Sequence, residues 1–141
     1  MDRANRSKTW EDYGITKHRY AELKAFCQQY DEKKRRISYI PATPVQDGQP
    51  KAAQIGSQTE RMAIENIVNI RDCEMIERAA IMAAPDIYPY ILKSVTNDLS
   101  YRYVEYDEEL GRIPCGRNDF YAYRKLFYHF LDNLKRGDKM R

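Results

Sequence analysis

The residues of this 141-residue chain whose types and spacing suit chemistry cluster near its C-terminus. Arg117, Asn118, Tyr121, Arg124 and Lys125 recur at spacings that gather them on one front of a helix. Arg112 precedes them across the turn GRIPCG. A guanidinium fork matches the O6 and N7 edge of guanine, and a carboxamide matches the N6 and N7 edge of adenine. Ammonium and phenol groups donate to phosphate oxygens. The chemistry expected of this set is recognition of double-stranded DNA. Arg117, Asn118 and Arg124 would read bases, while Lys125, Arg112 and Tyr121 would hold phosphates.

Bond-making chemistry has weaker candidates. Glu105, Asp107, Glu108 and Glu109 form an acidic run of the kind that holds a divalent ion or serves an acid–base mechanism in other settings. No histidine, phosphate cradle or nucleophile with its base accompanies it, so the run reads as a solvated helix face. The chain carries no G-x-G-x-x-G, P-loop or H-E-x-x-H motif. Cys27, Cys73 and Cys115 are odd in number and more than 40 residues apart, which argues against a disulfide framework. With only His18 and His129 to join them, a zinc site would need scattered residues to converge. The expectation is a protein that is not an enzyme and uses no cofactor and no metal.

Charge is segregated along the chain. Residues 1–56 carry 11 Lys/Arg against 7 Asp/Glu, residues 57–110 carry 5 against 11, and residues 111–141 carry 8 against 3. Two basic ends therefore flank an acidic middle, a distribution that suits a polyanionic partner for the ends. A hydrophobic content of 43% is enough for one globular domain of this length. No apolar run approaches the roughly 20 residues that span a bilayer. The opening MDRANRSKTWEDYG lacks the layout of a secretory signal, so a cytoplasmic location is expected.

The elements that must position these residues follow from periodicity. Residues 1–13 show none and read as a flexible arm, pinned if at all by Trp10 and Tyr13. Residues 14–37 predict a first helix, capped by Thr16, with Tyr20, Leu23, Phe26, Cys27 and Tyr30 inward. Its terminal cluster Lys33, Lys34, Arg35 and Arg36 complements the helix dipole and offers a salt-sensitive contact to DNA. Residues 38–56, with Pro41, Pro44, Pro50, Gly48 and Gly56, predict a linker. Ser57 and Glu60 form a capping-box signature ahead of a long helix to about Ala83. Its wide apolar stripe implies several neighbouring helices, or a homo-oligomer built through residues 57–83.

Pro85 and Asp86 start a short third helix with Ile87, Tyr90, Ile91 and Val95 inward. Ser100 caps a fourth, YRYVEYDEEL, and Asn118 or Asp119 opens a last one whose apolar set is Phe120, Tyr123, Phe127, Phe130 and Leu131. Eight of the twelve tyrosines lie between residues 88 and 128, mostly as expected rim-of-core rings. The fold class is all-α: a small bundle of about five helices in residues 57–141 and the first helix, ending in a helix-turn-helix-like unit between Ser100 and Leu134. In such a unit Arg117 and Arg124 project outward from the reading helix.

SYRYVEYDEEL as supporting helix, GRIPCGRNDFYAYR as turn and start of the reading helix, and the tail KLFYHFLDNL together resemble the small phage-encoded late-gene transcription regulators of the RinA and ArpU kind. The opening YGITKHRYAELKAFCQQYDEKKRRI is similar to the first helix of small prophage proteins. The resemblance implies a DNA-reading end like that of bacterial sigma factors, with RNA polymerase as a second partner. The competing reading is a helical phage structural, adaptor or DNA-packaging subunit that acts by oligomerising.

Overall fold

Thr16 opens the first long helix of the computed structural model, which describes residues 3–39 and 52–137. Its hydroxyl accepts the backbone N–H of Arg19 at 3.1 Å, as expected of an N-cap. The single helix expected over residues 14–37 is two helices, α2 (Lys17–Gln28) and α3 (Tyr30–Tyr39), after a single-turn α1 (Arg3–Arg6). The break at Gln29 has a packing cause. α2 lies on the helices that follow Pro85, whereas α3 lies on the long helix α4 (Ala52–Ala83), and one straight rod cannot follow both surfaces. Among the described residues five helices reach ten residues or more, so the protein is an all-α bundle.

α4 begins at Ala52, five residues before the start expected at Ser57; most of the expected linker, residues 40–51, lies outside the described residues. Its C-terminal half is the centre of the core. Cys73, Ile76, Ala79, Ala80 and Ala83 are buried, and the small alanines let α5 (Tyr88–Asn97) and α7 (Arg117–Lys135) approach closely. Leu23, Ile91, Val95, Phe120, Phe127, Tyr128 and Leu131 complete the interior. Within the set expected from periodicity in the last helix, Tyr123 and Phe130 are only half-buried. Leu126 and Tyr128 are buried in addition, because α7 packs on several sides at once.

α5 starts at Tyr88, after a turn formed by Pro85, Asp86 and Ile87 in place of the helical start expected at Pro85 and Asp86; Ile87, Tyr90, Ile91 and Val95 are inward as expected, and Pro89 sits in its first turn. It ends at Asp98, which adopts a left-handed φ of 53°. Aspartate tolerates that conformation better than most residues, and here its carboxylate meets Lys24 at 3.4 Å and Arg124 at 3.5 Å.

The supporting helix expected from Ser100 to Leu110 does not form. One turn, α6 (Tyr101–Val104), gives way to an antiparallel hairpin of β1 (Tyr106–Asp107) and β2 (Gly111–Arg112), in register Tyr106 to Arg112. Asp107 is the cause. Its carboxylate accepts the backbone N–H groups of Glu109 at 2.8 Å and Leu110 at 2.9 Å, a local turn that competes with helical hydrogen bonding. Lys93 pairs with the same carboxylate, and Gly111 supplies the positive φ of 83° that closes the turn. The acidic run is thus partly a structural device rather than a continuous solvated face.

The Lys93 ammonium first, and the Leu110 amide second, hold the Asp107 carboxyl below its ordinary range. A depressed folded value stabilises the hairpin above the unfolded value of about 3.9, and that contribution is lost as pH falls through the folded value. The Glu109 and Leu110 amides are expected to lose hydrogen-exchange protection on acidification below about pH 4, and Asp107→Ala to lose it at neutral pH. Protection in that variant equal to the parent's would show that the turn holds without the carboxylate.

Candidate nucleic-acid interface

Helix α7 starts at Arg117, with Gly116 as its N-cap in extended conformation, one residue ahead of the expected opening at Asn118 or Asp119. Arg117 and Asn118 are exposed in its first turn, and the Arg117 guanidinium lies 5.7 Å from the centre of the Tyr121 ring. Arg112 is exposed on β2, 5.6 Å from the centre of the Tyr106 ring that opposes it across the hairpin. These three residues stand open to solvent, as a contact to a polyanion requires.

The other three do not. The Tyr121 hydroxyl accepts the backbone N–H of Tyr101 at 3.0 Å, and its ring meets Phe120 edge-on. It joins α6 to α7 instead of projecting away. Arg124, expected to point outward, keeps only 14% of its side-chain exposure; it pairs with Asp98 and lies 5.8 Å from the centre of the Tyr128 ring. Lys125 donates to the carbonyl of Lys8 at 3.1 Å and sits over the Trp10 indole.

The N-terminal residues account for this. Trp10 packs 4.7 Å from Tyr20 and 6.1 Å from Tyr128, and Tyr13 stacks on His129 at 4.5 Å. Thr9 and Asp12 cap each other reciprocally, each accepting the other's backbone N–H, and Arg6 pairs with Asp119 at 2.9 Å. The described part of residues 1–13, expected as a flexible arm pinned if at all by Trp10 and Tyr13, lies against the front of α7. Trp10, Tyr121, Arg124, Lys125 and Tyr128 line a pocket of about 150 Å³ between the two. The expected reading face is open at its first turn and covered beyond it.

Sequence reasoning missed the residues that extend the open part. Arg102 is exposed, and Tyr103 and Tyr106 are 67% and 66% exposed, in the segment read as a supporting helix with rim-of-core tyrosines. The helical spacing of Tyr101 and Val104 was the available signal, since burying those two turns Arg102 and Tyr103 outward. Arg102, Arg112 and Arg117 form no ion pair with another described residue. The basic cluster at the end of α3 behaves differently. Lys33 pairs with Asp72 at 2.7 Å, Lys34 with Glu77 at 2.9 Å, and Arg36 with Glu32 at 3.5 Å. Two of those pairs tie α3 to the acidic α4.

Cys27 and Cys73 are buried in the core, and burial pushes the Cys27 thiol up to about 12, so it stays protonated at neutral pH. Among the described residues no group of three or more His, Cys, Asp or Glu side chains is placed to hold a metal ion. No helix among them is long and apolar enough to cross a membrane. Comparison of the chain with models of protein families, with curated proteins and with solved structures finds no match.

Proposed function

We propose that this is a phage or prophage DNA-binding protein, a transcription regulator that contacts duplex DNA through the first turn of α7 and the adjoining hairpin. The observation that carries this reading is the set of exposed arginines Arg102, Arg112 and Arg117, without an ion pair among the described residues, on the neighbouring elements α6, β2 and α7 that also carry exposed Asn118 and Tyr103, with exposed Tyr106 on β1. Arg117 and Asn118 are the base readers. Arg112 and Arg102 neutralise phosphates, and Tyr103 and Tyr106 pack beside the backbone. Tyr121, Arg124 and Lys125 leave the contact set and act as positioning residues between α7, α6 and the N-terminal segment. RNA polymerase as a second partner belongs to the same proposal, through the sigma-like layout. The exposed apolar side of α4 favours a second reading, a helical adaptor or packaging subunit.

Titrating salt in a binding assay separates the two. Purified protein is measured against random duplex and against fragments from its own genomic neighbourhood. Binding is expected at low salt and falls steeply as salt rises. Arg117→Ala should cost about 1–3 kcal/mol and relax sequence preference, whereas Arg112→Ala should weaken all sequences alike and reduce the salt slope by about one. Arg124→Ala should act on stability instead. Unchanged binding by a folded Arg112→Ala, Arg117→Ala double variant would sink the assignment of this surface. No binding by the parent protein at low salt would move the adaptor reading to first place.

A further inference from the structure

The side of α4 turned away from the core carries a second pattern. Ile64, Ile67, Arg71, Glu74, Arg78 and Ile81 follow one another at spacings of three or four, so they form one stripe along the helix. All six are exposed, with Ile64 at 62% and Ile67 at 56%, and exposed Val68 and Met82 flank them. Isolated exposed apolar residues are ordinary, but apolar groups clustered at both ends of one exposed stripe, with charges between them, mark an interaction surface. Arg71 and Arg78 form no ion pair with another described residue.

The order of residue types identifies the partner. The six positions are symmetric about the point midway between residues 72 and 73. Two α4 helices laid antiparallel about that point set Ile64 against Ile81 of the other copy at both ends. At the centre each Arg71 faces Glu74 of the other copy, twice over. Arg78 lays its aliphatic stem across Ile67 and keeps its guanidinium in water. An in-register parallel pairing would put Arg71, Glu74 and Arg78 each against its own twin, three like-charge contacts in all. The stripe is therefore complementary to itself in one orientation and repulsive in the other. We infer that this face of α4 seats a second copy of the chain, antiparallel, as a two-fold dimer with the Arg71–Glu74 pairs at its centre.

The inference is independent of the DNA reading and is tested without DNA, by sedimentation equilibrium on the full chain. The parent protein is expected to be a dimer. Arg71→Glu and Glu74→Arg each replace two attractive pairs by two repulsive ones and should raise the dissociation constant on the order of tenfold or more. An equimolar mixture of the two variants should associate again, because each heterodimer regains both opposite-charge pairs. The chain with both substitutions should dimerise like the parent. Circular dichroism checks that each variant keeps its helix content, which substitutions at exposed positions should leave unchanged. A parent chain still monomeric at about 100 μM would overturn the inference and leave the face to a different protein. Equally, a dimer indifferent to both single reversals, or one that both weaken without recovery in the mixture, would exclude this antiparallel register.

Discussion

Phe127→Ala is expected to lower the stability of the folded chain by about 3–5 kcal/mol, the range for truncating a fully buried phenylalanine. Phe127 is completely buried on α7, the helix that packs on α4, and meets the Tyr128 ring edge-on at 5.0 Å. Removing the ring leaves a cavity at that junction. The close-packed neighbours relax only in part to fill it, so the loss combines transfer free energy with missing contacts. Against the 5–15 kcal/mol that holds a typical domain, about 4 kcal/mol is a large share. Chemical denaturation followed by circular dichroism should show a lower midpoint with an unchanged slope. Phe130→Ala, three residues on and half-exposed, is the internal control and should cost clearly less. A loss under about 1 kcal/mol for Phe127→Ala would mean that this side of α7 is not the core side.

The second large effect belongs to Asp132. Its side chain retains 4% exposure and accepts from Arg19 Nε at 2.6 Å and from Arg136 Nε at 3.0 Å. Arg19 sits near the start of α2, so this carboxylate ties the first long helix to the last. Asp132→Ala leaves the Arg19 guanidinium beside the core with only the exposed Glu22 carboxylate, at 3.5 Å, as counter-charge. Breaking a fully buried pair from one side costs about 3–5 kcal/mol; Arg19 keeps 22% of its side-chain exposure, so a loss of about 2–3 kcal/mol is expected. Arg136→Ala should cost under about 1 kcal/mol, because that arginine is mostly exposed and pairs only across one turn. Asp132→Asn, which keeps an acceptor but not the charge, should fall between. Hydrogen exchange should report the damage first in α2. Equal effects of Asp132→Ala and Arg136→Ala would show that the link to Arg19 contributes nothing.

Much of the architecture was legible because helices are specified locally. The Thr16 cap, the inward set Tyr90, Ile91 and Val95 of α5 and the spacing of Phe120, Phe127 and Leu131 are each set within a few residues, and each stands where periodicity placed it. Arg112, Arg117 and Asn118 were legible as open groups for a similar reason: they flank a helix start next to a glycine turn, where little can cover them. Two local competitions were harder to read. Asp107 diverts the YRYVEYDEEL segment into a hairpin by capturing two backbone amides, an outcome that helical periodicity does not encode. The continuous apolar pattern from Tyr20 to Tyr30 hid the break at Gln29, because both halves bury the same stripe against different neighbours.

Local patterning specifies an all-α chain, the inward stripes of α5 and α7, and an arginine and an asparagine at the start of the last helix. How much of the basic front stays open is set by long-range packing. Lys8 reaches Lys125 across 117 residues, and Trp10 closes over Arg124 and Tyr128. Tertiary structure likewise left the stripe from Ile64 to Ile81 uncovered while burying Ile76 and Ala80 on the same helix. The physical reason is common to both. Periodicity says which side chains share a face, but exposure is a relation between two surfaces, and the second surface comes from a distant part of the chain or from another molecule.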